Sequence, residues 1–191
     1  MILIPKLKGG DQMIYSISKV FSKNFLFGIY TYLERVTWFW INLLPKILRK
    51  PFYKLVFANY GKRVFIDENC YFRYPWRISL GDDVVINRGC EFYPSFQDSF
   101  SKINIDSGVI LAPNVIFYGA GQDPRNPSML DVAGDITIRK NVYIGGNTIV
   151  RYGVEIGERS VVGAGSVVVK NVSEGCIFAG SPAIFIRTVE S

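Results

Sequence analysis

The stretch IRKNVYIGGNTIVRYGVEIGERSVVGAGSVV, residues 138–168, decides how this chain folds. An aliphatic residue falls at every sixth position: Ile138, Ile144, Val150, Ile156, Val162 and Val168. Small or polar residues fill most of the steps between. A helix repeats near 3.6 residues and an isolated strand at 2, so a strict period of six fits neither. It fits an all-β solenoid of parallel strands, in which each short strand gives one aliphatic side chain to a central column and a turn follows. Such a prism has little room for chemistry inside. Function must sit on its edges, on its loops or between copies.

Working outward, the same clock is present upstream with slips of phase. Ile105, Leu111 and Phe117 are in step, as are Leu80, Ile86 and Phe92, and Ile66, Phe72 and Ile78. Ile78 to Leu80 is two residues, Phe92 to Ile105 thirteen, and Phe117 to Ile138 twenty-one. The last step reads as about three extra residues beyond a multiple of six. A slip is a loop pushed out of the coil, and loops on a rigid scaffold carry function. Gly119 to Asp135 is therefore the expected active-site loop.

Composition narrows the chemistry. The 191 residues are one domain's worth of chain with room for an N-terminal appendage, and 49% hydrophobic content is ample for a core. Cys70, Cys90 and Cys176 form no even framework and no CxxC pair, which reads as packing in a reducing cytoplasm. There is no histidine. That excludes a histidine-ligated zinc site, so it argues against a β-helical carbonic anhydrase, and it removes the commonest general base. No metal is expected.

The charge is lopsided. Residues 1–63 hold eleven Lys/Arg against Asp11 and Glu34, a net of +9 within a total of +6. This part is also rich in aromatics, and helices are expected at 13–44 and 46–58, broken at Pro45. The first domain, residues 1–62, is thus read as a basic, aromatic helical region preceding a β-domain at 63–188. The apolar run Val36 to Leu44 is too short to span a bilayer. Two roles fit: capping the open end of the solenoid, and capping combined with peripheral contact to an anionic membrane at its inner face. No nucleic-acid motif accompanies the charge.

The stretch Val161 to Lys170, with Ala179-Gly180-Ser181-Pro182-Ala183 and Arg187, resembles the C-terminal signature of the hexapeptide-repeat acyltransferases. The likeness covers residues 64–188. It is nearest to bacterial polysaccharide and maltose-type O-acetyltransferases. The resemblance implies a left-handed parallel β-helix, a hand that general crossover rules would not choose. It implies a homotrimer with acetyl-CoA in the groove between neighbouring prisms. Gly146 and Ala164, one coil apart, match positions that meet the pantetheine arm through the backbone. Lys170 and Arg187 match positions that approach the CoA phosphates. Val169 stands where a threonine is common. Asn87 resembles an asparagine near the acceptor hydroxyl. Tyr93 and Tyr118, each following a core aromatic, are placed to stack on a sugar acceptor.

One position departs from the family. The catalytic histidine of the resemblance falls on Gln122, followed by Asp123 and Pro124. An amide accepts and donates hydrogen bonds but takes no proton at neutral pH. Losing a positioned base costs about 10²–10⁴-fold in rate. Three explanations stay open: a deliberate substitution that traps substrate, a natural replacement with Asp123 or a substrate group as base, or a catalytically silent relative. The function implied is transfer of acetyl from acetyl-CoA to a sugar hydroxyl of a surface polysaccharide or glycolipid precursor. A binding scaffold on the same fold and N-acetylation of an amino sugar nucleotide are the alternatives.

Overall fold

A computed structural model describes residues 9–95, 101–123, 125 and 131–189, with side chains from Phe25 onward except residue 47. The chain divides into two compact units, 1–44 and 45–191. The first contains helix α1, Gly9–Leu43. The second begins with helix α2, Lys46–Val56, and continues into strands from Asn59. The helix break at Pro45 is where the sequence puts it, and the division between units falls at the same place.

From Asn59 the chain visits three sheets in strict rotation. The first sheet takes Asn59–Tyr60, Ile78–Leu80, Ile103–Ile105, Ile136–Ile138 and Glu155–Ile156. The second takes Phe65–Ile66, Val85–Ile86, Ile110–Leu111, Tyr143–Ile144, Val161–Val162 and Cys176–Ala179. The third takes Tyr71–Phe72, Glu91–Tyr93, Ile116–Tyr118, Ile149–Arg151 and Val167–Val168. Neighbours within these runs pair in parallel, as in Tyr143↔Val161 and Ile149↔Val167. Each full rotation is a coil, and five are complete among the described residues. A sixth opens where Val172 bridges Ile156 and Cys176–Ala179 joins the second sheet. At eighteen residues per coil the span 64–188 would hold close to seven, and the insertions and a return strand use the remainder. The return strand, Ile184–Thr188, runs antiparallel to Cys176–Ala179, which no hexad predicts.

The phase slips have a physical account. Strands of the first sheet bury both their first and third residues, as in Ile78 and Leu80 or Ile136 and Ile138. That is why Ile78 and Leu80 both read as column positions, while Phe72 to Leu80 takes eight residues where Val150 to Ile156 takes six, an insertion of two. The other slips are insertions whose true length is hidden. From Phe117 to Ile138 is one corner, spanned by twenty-one residues where Val150 to Ile156 uses six. The insertion is therefore fifteen residues, not three. A six-residue clock reports an insertion only as a remainder. In the same way Phe92 to Ile105 contains seven extra residues and shows one.

The interior is a column of side chains. Phe72, Phe92 and Phe117 stack with centroids 4.8 and 4.9 Å apart and planes within 19°. That spacing is the strand separation itself, so parallel register sets the stack. Helix α2 plugs its open end: Phe57 meets Phe72 edge-on at 5.0 Å, Tyr53 is buried beside it, and Lys46 pairs with Asp67 at 2.5 Å. Cys70, Cys90 and Cys176 are buried, in keeping with packing. Corners are turned by residues in the left-handed region, notably Asn114 (φ 61°) and Asn147 (φ 57°), where asparagine is tolerated. At Gly145 the reason for glycine is crowding, since a Cβ there would run into the backbone of Ala164 in the next coil.

Candidate active site

The corner between the third and first sheets collects most of the predicted acceptor residues. In successive coils it presents Arg73, Tyr93, Tyr118 and Arg151, each one step past a buried column residue. Parallel register lays Tyr118 flat on Tyr93, with centroids 5.5 Å apart and planes at 13°. The Tyr93 hydroxyl donates to Glu91 Oε2 at 2.5 Å. Burial first, then the hydrogen bond and charge of Glu91, hold the Tyr93 phenol well above its usual range. It stays protonated at neutral pH and is therefore not a base.

The fifteen-residue insertion leaves the coil at this corner as an antiparallel hairpin, Ala120–Gln122 against Asp131–Ala133. Gln122 lies directly opposite Asp131. Cross-strand partners share a face, with Cβ atoms about 4.5–5.5 Å apart. A cavity of about 630 Å³ is bounded by Arg73, Tyr93, Ser95, Tyr118, Gln122 and Asp131. Its size is that of a small-ligand pocket. The tip of the predicted loop, including Pro124, Asn126, Pro127 and Ser128, lies outside the described residues.

Asp123 does not line this cavity. Its carboxylate accepts from Arg125 through Nε at 2.9 Å and through Nη2 at 3.1 Å, and also from the Arg125 backbone at 3.0 Å. Those hydrogen bonds hold its pKa below the usual carboxylate range, which makes it a weak proton acceptor. Asp131, which the sequence reading missed, is the one carboxylate among the described residues around the cavity. No linear motif marks it, because only the hairpin register brings it to Gln122. Arg73 was also missed, although it follows Phe72 as Tyr93 follows Phe92 and Tyr118 follows Phe117.

The remaining predicted residues lie elsewhere. Asn87, Gly146 and Ala164 share the corner between the second and third sheets. Asn87 donates to the Leu111 carbonyl at 2.7 Å, tying one coil to the next. Gly146 and Ala164 are adjacent in successive coils, and the Gly165 amide donates to the Gly146 carbonyl at 2.8 Å. A Cβ at Gly146 would lie 3.0 Å from the Pro113 carbonyl oxygen, while Ala164 is exposed. Val169 and Lys170 follow the last strand of the third sheet, with Lys170 exposed. Arg187 is exposed on the return strand, opposite Ile177. One face of the prism, about 16 Å at roughly 3.3 Å per residue, separates the Gly146 corner from the Tyr118 corner. Among the described residues no three His, Cys, Asp or Glu converge as a metal site needs.

The chain is similar to known proteins in sequence and in fold. Residues 135–170 match the family model "Bacterial transferase hexapeptide (six repeats)". The galactoside O-acetyltransferase of Escherichia coli K12 is 32% identical over 146 residues, covering 74% of this chain and 68% of that protein. The chain belongs to the hexapeptide-repeat acetyltransferase family. With other curated relatives the match spans less: 63% of one from Saccharomyces cerevisiae and 57% of one from Schizosaccharomyces pombe. Two solved acetyltransferase structures align closely. One, from Vibrio cholerae O1 biovar eltor and complexed with acetyl coenzyme A, has a TM-score of 0.75 and 26% identity over 83% of this chain and 86% of that one. The other, a maltose O-acetyltransferase from Clostridium difficile 630, has a TM-score of 0.72 and 29% identity over 84% and 86%. Within this hexapeptide-repeat acetyltransferase, the hairpin corner and the glycine corner are thus the two surfaces that need a chemical role.

Proposed function

We propose that the protein transfers an acetyl group from acetyl-CoA to a sugar hydroxyl of a surface polysaccharide or glycolipid precursor. The observation that carries this reading is the cavity at the hairpin corner, where the Tyr93–Tyr118 shelf faces Gln122 and Asp131. A flat aromatic pair suits the apolar face of a pyranose, and the polar groups suit its hydroxyls. Sugar acetylation by the Escherichia coli and Clostridium difficile relatives supports the acceptor class. The Vibrio cholerae complex supports acetyl-CoA as donor.

In this reading the coil is left-handed and three copies assemble. The donor lies along the Gly146–Ala164 corner of one copy and meets the hairpin corner of its neighbour, with Lys170 and Arg187 toward the CoA phosphates and Val169 making an apolar contact. Asn87 then reaches the acceptor from the donor side. Two features support assembly: the two corners of a single prism are too far apart to share one thioester, and the outward ladder of the second sheet is apolar. That ladder runs Phe65, Val85, Ile110, Tyr143, Val161 and Ile177. The first sheet presents instead Asn59, Ser79, Asn104, Thr137 and Glu155.

The chemistry is a direct attack. The acceptor oxygen bonds to the thioester carbonyl carbon, its proton passes to a base, and the carbon–sulfur bond breaks to release CoA. Backbone N–H groups stabilise the oxyanion. Gln122 orients the hydroxyl without taking its proton. Asp131, opposite it and the one carboxylate bounding the cavity among the described residues, is the base of this reading. The decisive assay follows CoA release by the native chain and by Gln122→His with acetyl-CoA and a panel of saccharides and lipid-linked sugars. Release by both, higher with histidine, is the expected result. Failure of both to bind acetyl-CoA overturns the reading in favour of a scaffold.

A further inference from the structure

Helix α1, taken by itself, has a face that the transfer reaction does not use. Phe25, Ile29, Tyr32, Val36, Phe39 and Leu43 recur at alternating steps of four and three residues. Leu26, Leu33 and Trp40 widen this stripe on one side. At 100° per residue the nine positions span an arc of about 140°, and at 1.5 Å per residue a length of about 27 Å. All but Val36 are exposed, from 43% at Ile29 to 68% at Tyr32. Glu34 and Trp38 lie on the opposite side of the helix.

Water is a poor solvent for such a surface, and exposed apolar patches of this extent mark interaction sites. We infer that this face of α1 lies in the plane of an anionic lipid membrane. Several observations select lipid over a second copy of the helix. The arc is wider than a coiled-coil seam, and of the flanking positions that would carry inter-helix ion pairs one side is Leu26, Leu33 and Trp40 and the other Gly28, Arg35 and Asn42, with one charge among the six. Trp and Tyr on the stripe are side chains that favour the membrane–water boundary. The sole acid in the described part of α1 with side chains, Glu34, points away, while Arg35 is exposed beside the stripe. Residues 1–63 carry a net charge of +9, which an anionic leaflet attracts. No helix of the described residues is long and apolar enough to cross a membrane, so an in-plane placement is the one that fits. Helix α2, considered separately, repeats the chemistry: Leu48 and Leu55 are exposed with Lys50 and Lys54, and it contains no acid.

The inference is independent of acetyl transfer and bears on the proposed function only in saying where the acceptor is met. The test is sedimentation of the full chain with phosphatidylglycerol vesicles and with neutral phosphatidylcholine vesicles, at low and high salt. The native chain is expected to pellet with the anionic vesicles and to be released by salt. The double variant Phe39→Glu/Trp40→Glu is expected to lose binding about tenfold or more, with its circular dichroism and acetyl-CoA affinity unchanged. No pelleting of the native chain at low salt overturns the inference. So does a double variant that binds lipid as well as the native chain, or one whose assembled mass falls while neither chain binds lipid, which assigns the face to another copy. Vesicle binding without acetyl-CoA binding leaves this inference standing and removes the acetyltransferase reading.

Discussion

The fourth and fifth coils differ from the second and third in a way that separates packing from chemistry. Between Ile138 and Val168 the chain spends eighteen residues per coil, and nearly every one is explained by register, column or corner. Between Leu80 and Ile138 the same three sheets are built, but seven and fifteen residues leave the coil at a single corner. The cavity, the tyrosine shelf and the cross-strand Gln122–Asp131 pair all lie at the interrupted corner. The regular coils supply rigidity. The irregular ones supply side chains that the period does not dictate.

The comparison breaks most visibly at Asp131. Asp131→Asn is expected to lower the rate of CoA release about 10²–10⁴-fold, with acetyl-CoA affinity unchanged by calorimetry, because it removes only a proton acceptor. Retained turnover would move the base elsewhere. Next is the column. Phe92→Ala leaves a hole between Phe72 and Phe117 and is expected to cost about 3–5 kcal/mol, read as a lower urea midpoint. An effect below about 1 kcal/mol would mean the stack is not the source of rigidity. Smaller still is the Lys46–Asp67 pair at the plugged end. The hydrogen bond from Lys46 lowers the Asp67 pKa, with a backbone hydrogen bond from Glu68 contributing next. A depressed carboxyl stabilises the fold above its unfolded pKa of about 3.9 and loses that contribution as pH falls through the folded value. Lys46→Met should therefore flatten the acid-side decline of stability below about pH 4, by less than about 1 kcal/mol as for surface pairs. A decline of unchanged steepness would show that the helix is held by Tyr53 and Phe57 alone.

The same contrast explains what was legible in the sequence. Ile138 to Val168 announces three parallel sheets because each hexad repeats one physical requirement, a buried aliphatic on a strand. Tyr93 and Tyr118 were legible for the same reason, as they sit one step past column residues. Asp131 was not, since its role depends on a hairpin whose length the clock reports only as a remainder. Asp123 was picked out by its neighbour in sequence, whereas its environment is set by Arg125. The return strand Ile184–Thr188 follows an antiparallel rule that no hexad encodes. Assignment of Asn87 and Gly146 to one corner and Tyr118 to another needed register, since sequence distance alone does not say which edge of a prism a residue occupies.

The return strand has one more consequence. A stack of parallel coils is a template at either end, with rows of N–H and C=O groups that invite another chain to continue it. In this molecule the C-terminal tail occupies the last row: the Val167 amide donates to the Gly180 carbonyl, the Ala183 amide to the Val167 carbonyl, and Ile184–Thr188 closes the second sheet in the opposite direction. A chain that continued the stack here would therefore meet a strand running against the coil's direction, not the parallel row that its own first strands pair with.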